Sequence, residues 1–315
     1  MKTKKTFSVL TACFKRFTVL LALSVTLASC SGGGKTVPGK SLADKLTWLQ
    51  TNAESDGNYI LEVRANESFA PYELSYGGRN NVTITLKGVG ANRAVSLASD
   101  GSMFTIGSGF TLVLETITLY GRNNNNAPLV NVDKNGTLVM NNGSAVSGNS
   151  SSWGVGGVRV NENGTFTMNG GTISGNEGGG VRVYGGTFTM SGGTISGNEG
   201  GGVRVDYNGT FTMSGGTISG NTARGDGGGV DVGGTFTMNG GEISGNTASR
   251  GGGVSVGLGG TFTMSGGAIT GNTGGSGGGG VRVSDGNFIP NGGTVSGNTP
   301  DDVYVSGAFI PAPFR

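Results

Sequence analysis

Three arginines stand at the same place in three successive copies of a V-x-V motif: Arg159, Arg182 and Arg204. If the copies stack, the three guanidinium groups line up at the spacing of neighbouring strands, about 4.8 Å. A guanidinium fork suits carboxylate, sulfate and phosphate groups. Tyr184 and Tyr207 follow two of these motifs closely and offer flat faces on which a sugar ring can lie. Arg159, Arg182, Arg204, Tyr184 and Tyr207 therefore form the candidate ligand-binding set, for an anionic glycan or an anionic host surface. Like charges placed directly opposite repel. An arginine column thus calls for a counter-ion or a ligand, unless it is simply a solvated face.

The acidic residues of the same region are mostly scattered. One pair, Glu177 and Glu199, follows equivalent asparagines in adjacent repeats. Stacked, the two carboxylates would lie about 5 Å apart and could hold a cation; a solvated turn is the simpler reading. The chain contains no His, which removes the commonest general base and metal ligand together. No catalytic residue, metal site or cofactor is assigned, and a non-catalytic protein is expected. Glycine runs such as "GGSGGGGVRV" lack the nine-residue period of calcium-binding repeats.

These residues must be positioned by a repeating scaffold. The stretch "GGTFTMSGGTISGN" at 185–198 returns almost unchanged at 208–221, with looser copies at 233–246, 259–272 and 285–298. Each cycle carries three short period-two segments. The first is V-x-V. The second is T-F-T-M, centred on Phe166, Phe188, Phe211, Phe236 and Phe262. The third is T-I-S, centred on Ile173, Ile195, Ile218, Ile243 and Ile269. The Phe-to-Ile spacing is seven residues in six consecutive cycles. The gap from the asparagine of "SGN" to the next V-x-V varies from five to nine residues, and the gap from V-x-V to the next Phe from four to six. One rigid corner and two that accept insertions describe a coil with three faces and 22 to 27 residues per turn. Such a coil stacks on itself as a single-stranded, right-handed parallel β-helix of the all-β class. About ten coils would make a stack roughly 50 Å long. Apolar residues alternate with polar ones and should point inward. Asn149, Asn176, Asn198, Asn221, Asn246, Asn272 and Asn298 should form a structural ladder.

Along the chain the organisation reads as follows. Residues 1–29 form a basic, then apolar, export signal ending in "LASC". Residues 30–40 read as a flexible tether and 41–53 as an amphipathic helix. Ser41 and Asp44 form its capping box, and it should close the end of the stack. Irregular coils at 57–137 precede the regular repeats at 138–305, and 306–315 is a proline-containing tail. The chain has 21 basic and 19 acidic residues, of which the leader holds 5 and 0. The mature chain therefore has 16 against 19, a net of −3, and nucleic acid is not an expected partner.

The residues Leu27-Ala28-Ser29-Cys30 resemble the lipobox of bacterial lipoproteins. That resemblance implies acylation of Cys30 and anchoring in the bacterial envelope, at the outer membrane or cell surface. Each buried CH₂ of an acyl chain contributes about 0.8 kcal/mol. The repeats resemble those of polymorphic outer-membrane proteins, surface autotransporters with an F-x-x-N and G-G-A-I pattern. The aligned residues are Ile218-Ser219-Gly220-Asn221 and Gly228-Gly229-Val230, with Ile replacing Phe. This resemblance implies an adhesin-like surface role. The coil is also similar to that of pectate lyases and related polysaccharide enzymes, which makes a polysaccharide-processing protein, active or degenerate, the alternative function. A repetitive coat is a third. The paired outward threonines of T-F-T-M resemble the ice-binding face of some antifreeze proteins, but Thr is also an ordinary strand residue.

Overall fold

A computed structural model describes residues 33–151 and 154–306. Within them the chain winds as a parallel β-helix with three strands per coil, the expected fold. The T-F-T-M sheet has eleven strands, from Lys35–Thr36 to Asn287–Pro290; the V-x-V and T-I-S sheets have ten each. The irregular coils before residue 138 join the same three sheets: Ile84 pairs with Leu112, Leu112 with Leu138, and Leu138 with Phe166. Their divergent sequences therefore keep one register.

Period-two alternation explains the core. In each T-F-T-M strand the Phe and Met point inward and are fully buried. Phe166, Phe188, Phe211, Phe236 and Phe262 stack with centroids 4.6 to 4.8 Å apart and ring planes tilted by only 6–7°. Stacked aromatic pairs contribute about 0.5–1.5 kcal/mol each beyond burial. The Gly-Gly turn after each Met is required by the same packing. Gly216 has φ +85°, and a Cβ there would sit 2.6 Å from the Met190 methyl and 2.8 Å from the Gly193 carbonyl oxygen.

The helix Leu42–Asn52 lies against the N-terminal end of the core, with Leu42, Leu46, Leu49 and Ala53 buried on one face. Both arms of the capping box are made: Asp44 N–H donates to Ser41 Oγ at 3.1 Å and Ser41 N–H to Asp44 Oδ2 at 3.0 Å. The segment read as a tether is partly ordered. Lys35–Thr36 pairs parallel with Tyr59–Ile60, and Val37 is buried. The first full coil offers an open strand edge and the helix an apolar underside, and three residues of the segment satisfy both. Cys30 and the tail 307–315 lie outside the described residues.

The asparagine ladder runs along one corner, from fully buried at Asn149 to 8 % exposed at Asn298. Asn198 donates from its backbone N–H and its Nδ2 to Asn221 Oδ1, at 3.0 and 2.9 Å. Asn221 does the same to Asn246, and so on to Asn298, which donates both to Asp302 Oδ1 at 2.9 Å. At the other end Asn125 donates to Asn149 Oδ1 at 3.0 Å. Asn125 and Asp302 thus extend the ladder beyond the "SGN" motif. Every member also donates to a backbone carbonyl, so it is fully committed to structure.

Candidate functional site

The V-x-V sheet places the arginine column as its spacing requires. Arg159 pairs in register with Arg182, and Arg182 with Arg204; the column then continues as Asp231, Ser255, Arg282 and Tyr304. The counter-ion it calls for comes from the chain itself. Asp206, one residue beyond its V-x-V strand, accepts from Arg182 Nε at 2.6 Å and from Arg204 Nε at 2.9 Å. The Arg159 guanidinium lies over the Tyr184 ring, 5.4 Å from its centroid. One carboxylate thus serves both Arg182 and Arg204, while Arg159 has a ring contact and no partner for its Nε, so the column is partly neutralised from within and is weakened as a receptor for anionic groups at Arg182 and Arg204.

The variable corner builds a more enclosed feature. Counted from ladder Asn to the next Val, the corner lengths are 9 (149 to 158), 5 (176 to 181), 5 (198 to 203), 9 (221 to 230), 8 (246 to 254) and 9 (272 to 281). Two adjacent short corners, 176 to 181 and 198 to 203, lie between long ones; the last corner, 298 to 303, is also of 5. The long corners from Asn221 onward add a fourth, three-stranded parallel sheet of Thr222–Asp226, Thr247–Arg250 and Thr273–Gly274. A trough of about 920 Å³ results. Glu177, Gly178, Glu199 and Gly200 form its floor, with Ser151 and Gly154 on one side and Ala223–Gly227 on the other. One floor position must be glycine: Gly178 has φ +94°, and a Cβ there would meet the Ser151 carbonyl oxygen at 2.5 Å.

Arg204 and Asp231 line the trough and also a second groove of about 250 Å³, whose other walls include Tyr207 and Leu258. Tyr207 is 74 % exposed and Leu258 83 %, a standing apolar shelf beside a polar trough. The carboxylates of the trough are unequally paired. Asp226 meets Arg250 at 2.7 Å, and Glu177 accepts from Ser150 Oγ at 2.5 Å. Glu177 and Glu199 have no cationic partner among the described residues, and their backbones bridge in register. Among the described residues the one ion pair of Asp231 is with Arg204, at 3.8 Å. Burial, with Asp226 and Asp206 nearby, pushes its carboxyl up to about 6 against the pull of Arg204 and Arg250.

The five residues of the candidate set are thus distributed. Arg204 lines both grooves and Tyr207 the smaller, while Arg159, Arg182 and Tyr184 line neither. Asp206 and Asp231 stand out only once the coils are stacked, although the Asp that follows three Arg in the x position of V-x-V carries a signal for Asp231. The threonine rows are in register as well, and the first runs through Thr83, Thr111, Thr137 and Thr165 to Thr261. No group of three or more Asp, Glu, Cys or His among the described residues is placed to hold a metal ion. Comparison with known proteins returns no matching family model, no similar curated protein and no similar solved structure.

Proposed function

We propose that the protein is an exported, lipid-anchored envelope protein that presents its β-helix as a rigid, non-catalytic surface for binding glycan, in the manner of an adhesin. The observation that carries the binding role is the clustering of exposed apolar groups. Tyr184, Tyr207, Leu258 and Tyr304 are four of the six large hydrophobic residues exposed among the described residues, and all lie in or just after V-x-V strands. Aromatic faces held on a rigid sheet beside charged side chains suit sugar rings, at little entropic cost. The anchor rests on Leu27–Cys30, and the basic leader supports export.

Screening the full chain against a panel of polysaccharides tests this reading. Retention of at least one glycan, weakened about tenfold or more by Tyr207→Ala, is expected. Retention of none would contradict it. The polysaccharide-processing alternative draws on one observation: the carboxyl of Asp231, which lines both grooves, is pushed up to about 6, toward the range of a general acid. New reducing or unsaturated ends released from a bound glycan, and lost in Asp231→Asn, would favour that alternative.

A further inference from the structure

We infer that the trough over the two short corners is the binding groove for one extended chain of a linear glycan without acidic groups. The inference rests on the glycan reading above and locates it. The width follows from the fold. The floor is two coils, Asn176–Val181 and Asn198–Val203, and stacked coils repeat at the strand spacing, so about 10 Å separates the walls. That admits a single polymer chain crossing the solenoid axis and excludes a folded partner. Its volume, about 920 Å³, lies in the range of specific ligand clefts.

The lining selects the class. Leading out of the trough past Arg204 and Asp231, a ligand reaches the Tyr207–Leu258 shelf, where a ring can stack. Along the floor, Glu177 and Glu199 offer acceptors to hydroxyl or amino groups and repel carboxylate and sulfate. The four carboxylates of the lining, Glu177, Glu199, Asp226 and Asp231, outnumber its two arginines, Arg204, already held by Asp206, and Arg224 on the wall. An extended peptide would instead add to the free edge of Thr222–Asp226. The register shift between Ala223 and Asp226 breaks the even ladder that strand addition requires.

The chain supplies its own test. Its long corners show that the fold accepts eight residues between ladder Asn and Val, as at Thr222–Gly229. Replacing Glu199–Gly202 with a second copy of Thr222–Gly229 fills the trough without touching the core. The full chain, this graft and a Glu177→Gln/Glu199→Gln variant are titrated with hexamers of chitin, chitosan and polygalacturonate, with circular dichroism confirming the fold. We expect the full chain to bind the chitin or chitosan hexamer, and the polygalacturonate hexamer about tenfold or more weakly. The graft should lose binding by a similar factor, and the glutamine variant should narrow the gap to polygalacturonate. A folded graft that binds as well as the full chain would overturn the site while leaving the glycan reading standing. Preference for polygalacturonate would overturn the ligand class. Binding of an extended Lys-Gly peptide with no glycan bound would overturn both readings.

Discussion

Arg182 Nε donates to Asp206 Oδ2 at 2.6 Å, and the two residues belong to adjacent coils. The bond is an ion pair between a one-quarter-exposed arginine and a carboxylate only 13 % exposed, shared with Arg204. A column of like charges that would otherwise oppose stacking becomes a staple between coils. Asp206→Ala should lower stability by about 1–3 kcal/mol, because it leaves Arg182 without its carboxylate and Arg204 with only the longer contact to Asp231, at 3.8 Å. It should also make the melting temperature rise with added salt more steeply than in the unaltered chain. Thermal melts from low to high salt check this; an unchanged melt and salt slope would contradict it.

The ladder makes a sharper demand. Asn221 accepts from Asn198 at its backbone N–H and Nδ2, and donates to Ile195 O at 3.0 Å and Asn246 Oδ1 at 2.9 Å, all buried. Asn221→Ala strands several of these groups at once. The expected loss is about 3 kcal/mol or more in urea unfolding, against well under 1 kcal/mol for the exposed neighbour Thr222→Ala. Equal losses at the two positions would contradict a structural role for the ladder.

Most of the fold is legible in the sequence because the core residues recur with fixed spacing. The constant seven residues from Phe188 to Ile195 and from Phe211 to Ile218 set the rigid corner, and the Phe stack follows. Leu112 and Ile84 belong to the same inward column but share no motif with Phe166, so only pairing reveals them. The arginine column is visible from spacing, whereas its neutralisation is not, because Asp206 reaches back one coil to Arg182. The trough escapes a reading by motif for a different reason. It arises from the difference in length between neighbouring corners, a property of no single repeat. The strand at Lys35–Thr36 has no pattern of its own; a partner edge and a covering helix order it.

Asp231 should give stability a pH dependence of unusual sign. Its carboxyl is raised from 3.8 to about 6, chiefly by burial. Below 3.8 it is protonated both folded and unfolded, and contributes no difference. Between 3.8 and 6 the unfolded chain has lost the proton and the folded chain keeps it, so stability falls as pH rises through this window. The loss is complete above 6, at up to about 3 kcal/mol. Asp231→Asn should abolish this component and make the protein more stable than the unaltered chain at pH 7. Urea unfolding at pH 4.5 and pH 7 measures it; the same drop in both proteins would contradict the assignment.

A rigid surface for binding glycan has a use only where glycan can reach it. Protease shaving of intact cells expressing the full chain, with a periplasmic protein as lysis control, tests that most directly. The β-helix should be removed from intact cells while the control survives, and Cys30→Ser should abolish retention on the cell. Protection of the β-helix until the outer envelope is breached would place it inside and contradict a surface-binding role.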